Sequence, residues 1–201
     1  MKKLISLSLA LLLCVCCGMC MPVDTRAVTA EENAPFDVAA ESAVLMEAGT
    51  GKVLYAKNAN EALPPASVTK VMTLLLVMEA IDSNTLSLED TVSVSEYAAS
   101  MGGSQVFLEP FEEMSVEDML KSVVVSSAND AAVALAEKVG GSEEAFVKRM
   151  NEKALLLGME NTNFENVTGL DDDTVNHVLS AMDIALVSRE LITKHPLILN
   201  Y

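Results

Sequence analysis

The chain has 201 residues, of which 51% are hydrophobic, and its 29 acidic and 13 basic side chains give a formal charge of −16 at pH 7. This hydrophobic content supports a folded core and excludes a disordered acidic tail. A surface this negative repels phosphate groups and anionic lipids. Aromatic residues make up only 4% and Trp is absent, which leaves little material for base stacking. We therefore expect no nucleic-acid partner.

The first thirty residues predict an export signal. Met1 to Lys3 form a basic start, and residues 4–23 follow without any charge and with a Leu-rich centre. Cleavage is expected after Ala30, with Ala27 as the second choice. An uncleaved membrane anchor is the open alternative, because the uncharged stretch is about as long as the shortest membrane span.

The export signal divides the chain into three parts. Residues 1–30 form the signal, residues 31–40 are rich in Ala, Glu, Asn and Pro without periodicity and predict a flexible leader, and residues 41–201 carry the folded part. The protein is therefore expected outside the cytoplasm.

Neither cysteines nor histidines predict a metal site. His177 and His195 are the only histidines, and neither has a partner at metal-ligand spacing. Asp171 to Asp173 resemble the start of a calcium loop, but the sixth position lacks Gly and the twelfth lacks Glu. We expect no metal and no cofactor. All four cysteines lie inside the export signal, at Cys14, Cys16, Cys17 and Cys20.

The folded part begins with a predicted β-hairpin and a buried helix. Two short apolar runs, 42–47 and 52–56, flank a turn that contains glycine. After Pro64 and Pro65, a helix is predicted from Ser67 to about residue 81. Its apolar residues are nearly continuous, so we expect it to be buried on most faces within a mixed α and β core.

The following segment predicts short extended pieces, and the rest of the chain is predicted to be mainly helical. Residues 87–94 are expected to be extended, 97–101 to form one turn of helix, and 105–108 to form a strand. Each later helix starts at a capping residue. These helices run from Ser115 to about 125, from Asn129 or Asp130 to 139, from Ser142 to 157, and from Ser180 to about 194.

The first pair with catalytic potential is Ser67 and Lys70. Residues three apart on a helix share a face, so the hydroxyl and the amine can form a hydrogen bond. An amine acts as a base only when it is neutral, which requires burial or a neighbouring cation to lower its pKa from about 10.4. The helix start also places the Ser67 backbone N–H beside an oxyanion. An exposed capping serine with a solvated lysine remains the alternative.

The second candidate is the triplet Ser127-Ala-Asn129, which interrupts two apolar helical segments. At such a break a hydroxyl and an amide can both point into a cleft. Ser127 would pass a proton to a leaving nitrogen, while Asn129 would hold Lys70 and the substrate's amide. An ordinary helix cap is the alternative interpretation.

Four motifs occur in order along the chain, and they are Leu63-Pro-Pro-Ala-Ser-Val-Thr-Lys70, Gly103-Ser-Gln-Val-Phe-Leu-Glu-Pro110, Ser127-Ala-Asn-Asp-Ala131 and Asn166-Val-Thr-Gly-Leu-Asp171. Together they resemble the D-alanyl-D-alanine carboxypeptidases, which are low-molecular-weight penicillin-binding proteins and serine peptidases of the bacterial cell wall. The resemblance runs from about Ala39 to the end of the chain.

The resemblance implies an α+β fold of the β-lactamase and D,D-peptidase kind, in which an antiparallel sheet is joined to a mainly helical subdomain. It implies that Ser67 is the nucleophile, Lys70 its base, Ser127 a proton relay and Asn129 a substrate holder. The implied reaction removes the terminal D-alanine from peptidoglycan stem peptides through an acyl-enzyme, without a cofactor. β-Lactam antibiotics are implied as covalent inhibitors, and the cell wall or the outer face of the cytoplasmic membrane as the location.

One departure from the pattern concerns the third motif of such enzymes. No Lys-Thr-Gly or Lys-Ser-Gly follows Asn129. We therefore expect residues 41–201 to be the N-terminal portion of a transpeptidase-like catalytic domain, incomplete at its C-terminus, as a truncated gene model would be. Membrane contact is expected only through the signal segment or a missing C-terminal anchor. The alternatives are a β-lactamase or D,D-endopeptidase on the same fold, or an inactive wall-associated fragment.

Overall fold

The structure, a computed structural model, describes residues 38–170 and 174–201. The predicted export signal, most of the leader and the acidic run 171–173 lie outside these residues. The strands are β1 (Ala43–Met46), β2 (Val53–Lys57), β3 (Thr91–Ser93) and β4 (Glu113–Ser115). The α-helices are α1 (Lys70–Asp82), α2 (Glu96–Ala99), α3 (Val116–Ser126), α4 (Asn129–Gly140), α5 (Glu143–Leu156) and α6 (Ala181–Lys194), and the two 3-10 turns are Ala66–Thr69 and Pro196–Asn200. This is the α+β architecture that the sequence predicts.

The predicted N-terminal hairpin is confirmed. β1 and β2 pair antiparallel, with Leu45 opposite Tyr55. The Glu47 carboxylate shapes the turn by accepting the backbone N–H of Gly49 at 2.9 Å. Helix α6 packs against β1, and its Arg189 Nε donates to the Ala48 carbonyl at 2.7 Å. The hairpin is thereby fixed to the helical part of the molecule.

The predicted buried helix is also confirmed, as α1. Its residues from Met72 to Met78 are all buried, because the helix packs against α4, α5 and α6. Such burial contributes about 1.5–3 kcal/mol for each large apolar side chain. The α1 helix is thus a rigid base for any group at its N-terminus.

Three of the predicted helix caps are present. The hydroxyls of Ser115, Ser142 and Ser180 each accept a hydrogen bond from the backbone N–H of the residue three positions later, at 3.1 Å in each case. A cap of this kind stabilises a helix by about 1 kcal/mol. The same side chains therefore fix where α3, α5 and α6 begin.

The prediction that Asn129 or Asp130 caps α4 is wrong by one or two positions. The N-cap is Ala128, which has no side chain able to cap, and both Asn129 and Asp130 lie inside the first turn. Their side chains are used elsewhere, because each is buried and bonds to the segment 102–108.

The predicted strand at 105–108 is also wrong. The backbone N–H groups of Val106 and Leu108 both donate to the Asp130 carboxylate, at 3.1 Å each, so a side chain takes the place of a strand partner. Phe107 between them has φ of +61°, which no strand allows. The strand that follows β3 is β4 instead, and these two pair antiparallel.

Candidate active site

Ser67 and Lys70 meet at the start of α1. Ser67 lies in the 3-10 turn Ala66–Thr69, and Lys70 is the first residue of the helix. The Lys70 amine donates to the Ser67 hydroxyl oxygen at 3.2 Å. The spacing of three residues therefore produces the contact that the sequence predicts, on a turn tighter than the expected α-helix.

Lys70 is almost completely buried, with 3% of its surface exposed. Its amine also donates to the Thr168 carbonyl at 2.9 Å, and no carboxylate among the described residues forms an ion pair with it. Burial without a counter-charge lowers the pKa of Lys70 from 10.5 to about 8. At pH 7 this makes the neutral amine roughly 300-fold more abundant than in a solvated lysine.

The Thr168 carbonyl is held in place by a turn that Asn166 organises. The Asn166 side-chain oxygen accepts the backbone N–H of Gly169 at 2.7 Å, and its nitrogen donates to the Leu170 carbonyl at 2.6 Å. Gly169 has φ of +82°, and a Cβ there would lie 1.8 Å from the Ala66 carbonyl oxygen. Only glycine lets this turn lie directly against the turn that carries Ser67.

Asn166, Thr168 and Gly169 lie in a motif that carries the family resemblance, but the sequence assigns none of them a role. The Asn-x-Thr-Gly spacing does indicate a turn, because asparagine shortly before glycine commonly closes one. The contact with Lys70 spans 98 positions, so no local pattern predicts it.

Asn129 lies on another wall of the same cleft. It is buried, its Nδ2 donates to the Gly102 carbonyl at 2.7 Å, and its backbone N–H donates to the Ser104 carbonyl at 2.7 Å. Its Oδ1 is buried without a hydrogen-bond partner. Such an acceptor costs about 1–3 kcal/mol, so it is available to a donor on a bound molecule.

Ser127 lies two residues before Asn129, in the left-handed conformation that ends α3, with φ of 54°. The part of the chain that the structure describes contains no hydrogen bond of its hydroxyl, and Ser127 is not among the cleft-lining residues. The structure therefore brings Ser67, Lys70 and Asn129 together and leaves Ser127 beside them.

Asp130 is a supporting residue that sequence reasoning missed. Its carboxylate is fully buried and accepts backbone N–H groups from Val106, Leu108 and Ala131. These bonds hold the segment whose earlier residues, Gly103 and Ser104, line the cleft. Asp130 thus fixes the part of the cleft wall that Gly103 and Ser104 form.

The cleft has a volume of about 540 Å³. His177 lies on its wall, but both ring nitrogens bond to groups other than Ser67, so no Ser-His-Asp triad forms. Within residues 38–170 and 174–201, no group of His, Cys, Asp and Glu is arranged to hold a metal ion. Residues at the cleft include Pro65, Ser67, Ser104, Asn129, Thr168 and His177.

Residues 27–201 match the family model described as D-alanyl-D-alanine carboxypeptidase. The chain belongs to this family. It is 58% identical over 153 residues to D-alanyl-D-alanine carboxypeptidase DacF of Bacillus subtilis, covering 76% of this chain and 39% of that relative. To DacC of Escherichia coli it is 41% identical over 165 residues, covering 79% and 41%.

Solved structures of the family confirm the fold. D-alanyl-D-alanine carboxypeptidase DacD of Francisella tularensis superposes with a TM-score of 0.79 at 36% identity, covering 82% of this chain and 40% of that one. Ampicillin-bound penicillin-binding protein D2 of Listeria monocytogenes superposes with a TM-score of 0.67 at 34% identity, covering 82% and 66%. This chain spans about two fifths of the length of its curated carboxypeptidase relatives.

Proposed function

We propose that the protein is a serine-type D-Ala-D-Ala carboxypeptidase that removes the terminal D-alanine from peptidoglycan stem peptides. The observation that carries this proposal is the buried Lys70 amine, 3.2 Å from the Ser67 hydroxyl, with a pKa lowered to about 8. A neutral amine in contact with a serine is a base paired with a nucleophile. Membership of the carboxypeptidase family supports the choice of substrate.

In the proposed acylation, the Ser67 oxygen attacks the carbonyl carbon between the two D-alanines while its proton passes to Lys70. The carbonyl oxygen becomes an oxyanion beside the backbone N–H of Ser67, where the start of α1 favours negative charge. The C–N bond then breaks, the leaving nitrogen takes up a proton, and D-alanine departs. Water hydrolyses the resulting ester and restores Ser67.

Asn129 and Ser127 complete the proposed site. The unpaired Asn129 Oδ1 is suited to accept an amide N–H from the stem peptide, because it is buried and has no partner. Ser127 is proposed as the relay that protonates the leaving nitrogen. Its position beside Asn129, at the break between α3 and α4, supports that role.

The proposed setting is the cell wall, outside the cytoplasm. Residues 1–30 are proposed to act as a cleaved export signal, residues 31–40 as a leader, and residues 41–201 as the N-terminal portion of the catalytic domain. Within the described parts of the chain, no helix is both long and apolar enough to cross a membrane. β-Lactams are proposed as covalent inhibitors, and the ampicillin-bound and cefotaxime-bound structures of the Listeria relative support this.

Fluorescent penicillin tests the proposal, using protein made from the complete reading frame. We expect a covalent adduct that is lost in Ser67→Ala and strongly reduced in Lys70→Met, while Ser100→Ala, which changes an exposed serine, labels normally. A folded protein that fails to label would refute the assignment. Release of D-alanine from a pentapeptide, without cleavage of cross-linked stems, then separates a carboxypeptidase from an endopeptidase.

A further inference from the structure

His177 is a buried histidine whose two ring nitrogens both have partners. The backbone N–H of Glu165 donates to Nδ1 at 3.1 Å, so Nδ1 is unprotonated and the proton of the neutral ring lies on Nε2. Nε2 therefore donates to the Thr69 hydroxyl oxygen, 2.8 Å away. The ring of Phe164 packs edge-on against the imidazole, with 5.9 Å between ring centroids. Tautomer and orientation are thus both fixed.

These two hydrogen bonds join the turns that enclose Lys70. Thr69 belongs to the turn that carries Ser67, and Glu165 immediately precedes the turn that presents the Thr168 carbonyl. Two backbone bridges directly after His177 tie the same stretch to residues just before these two turns. Asn163 pairs with Val178, and Leu63 pairs with Leu179.

We propose that His177 is a positioning residue, which holds the Ser67–Lys70 turn against the 166–170 turn through its bond to the Thr69 hydroxyl. The consequence for acylation rests on the proposed function, but the consequence for Lys70 does not. Both ring bonds of His177 go to groups other than Ser67, so it acts on the Ser67 turn through Thr69, while its anchorage near the second turn is shared with the Asn163–Val178 bridge.

The expected effect follows from the burial of Lys70. If the two turns separate, water reaches the amine and its pKa returns toward 10.5. The neutral fraction at pH 7 then falls by up to roughly 300-fold. Displacing a reacting pair by about 1 Å can by itself cost about 100-fold in rate.

Two substitutions of His177 distinguish the roles of its two ring nitrogens. In His177→Gln the side-chain nitrogen can occupy the position of Nε2 and still donate to Thr69, whereas in His177→Asn the shorter amide reaches only the position of Nδ1. Thr69→Val removes the acceptor while keeping the side-chain shape. His195→Asn is the matched control, because His195 is also buried and bonded, to Asp82, but lies outside the cleft.

Two readouts are measured on each variant: the pKa of Lys70 by NMR titration of its labelled Cε, and the rate of acylation by fluorescent penicillin. We expect His177→Asn and Thr69→Val to raise the pKa of Lys70 by about one and to slow acylation at least roughly tenfold. The acylation rate of His177→Gln should stay within about threefold of the wild-type rate. His195→Asn should change neither readout.

The proposal is overturned if His177→Gln is as impaired as His177→Asn, or if the pKa of Lys70 stays unchanged in His177→Asn and Thr69→Val. Equal losses in His177→Asn and His195→Asn would also overturn it, because they would show a general effect on stability. If the wild type does not react with penicillin, the proposed function fails, while the pKa comparison still decides the positioning role.

Discussion

Replacing Lys70 by methionine removes a buried amine that is costly to charge, and the effect on stability has a defined pH dependence. In the folded protein the pKa of Lys70 is about 8, whereas in the unfolded chain it is near 10.5. Between these pH values the unfolded chain binds the proton and the folded protein does not. The free energy of unfolding of the wild type therefore rises with pH over this window. Below pH 8 the Lys70 amine is charged in the folded protein, which then bears the full free-energy cost of burying that charge.

The size of the rise follows from the same two values. Each pKa unit corresponds to about 1.4 kcal/mol, so the wild type should gain about 3 kcal/mol relative to Lys70→Met between pH 7 and pH 10.5. The difference between the two proteins is the useful quantity, because the ionisation of tyrosines and the repulsion among acidic groups affect both equally. Only 3% of the Lys70 surface is exposed, so solvent screens the amine little in the folded protein.

Urea unfolding followed by circular dichroism, at several pH values from 7 to 10.5, measures this difference. Lys121→Met is the control, because Lys121 is exposed and its bond to Asp118 raises its pKa from 10.5, so its stability difference from the wild type should stay nearly constant up to about pH 10. Parallel stability curves for wild type and Lys70→Met would refute the reasoning, since they would show that the amine is solvated in the folded protein.

Two further substitutions test the walls of the cleft. Asp130→Asn should lower the free energy of unfolding by about 2–3 kcal/mol, because one of the two oxygens that accept backbone N–H groups becomes an NH2 group facing those donors, and it should speed hydrogen exchange at Val106 and Leu108. Unchanged exchange at these two amides would contradict this. Gly169→Ala should cost at least about 4 kcal/mol or prevent folding, since its Cβ would lie 1.8 Å from a carbonyl oxygen. Gly141→Ala, with φ of +84° and open space around it, should cost only about 1 kcal/mol in the same urea experiment, and equal losses would refute the steric argument.

Sequence reasoning succeeded where the responsible interactions are local. The capping serines Ser115, Ser142 and Ser180 bond to residues three positions away, and Ser67 meets Lys70 across the same distance. The nearly continuous apolar run of α1 likewise predicts burial without reference to any partner. For the caps and the Ser67–Lys70 pair, the pattern and the physical contact lie within one turn of helix.

Sequence reasoning failed where a distant side chain replaces a backbone hydrogen-bond partner. Residues 105–108 have the composition of a strand, yet their N–H groups bond to Asp130, 22 to 24 positions away. An aspartate at the start of a helix is ordinarily interpreted as a cap or a favourable charge, so nothing in the sequence assigns it to that loop. The sequence predicts Asn129 as a candidate site residue, but it does not predict its neighbour Asp130, which supports the loop that Asn129 contacts.

The motif and the fold therefore contribute different parts of the candidate chemistry. A Ser-x-x-Lys turn on an exposed helix would make the same hydroxyl contact while keeping an ordinary lysine pKa, because water would solvate the charged amine. What lowers the pKa of Lys70 is its enclosure by α1 and by the 166–170 turn, whose Thr168 carbonyl accepts from the amine. That enclosure depends on Gly169, which lets the two turns touch, and on Asn166, which closes the second turn. The proposed reactivity of Ser67 thus depends on the packing of the two turns, and substitutions at Asn166 or Gly169 should reduce it although they change neither Ser67 nor Lys70.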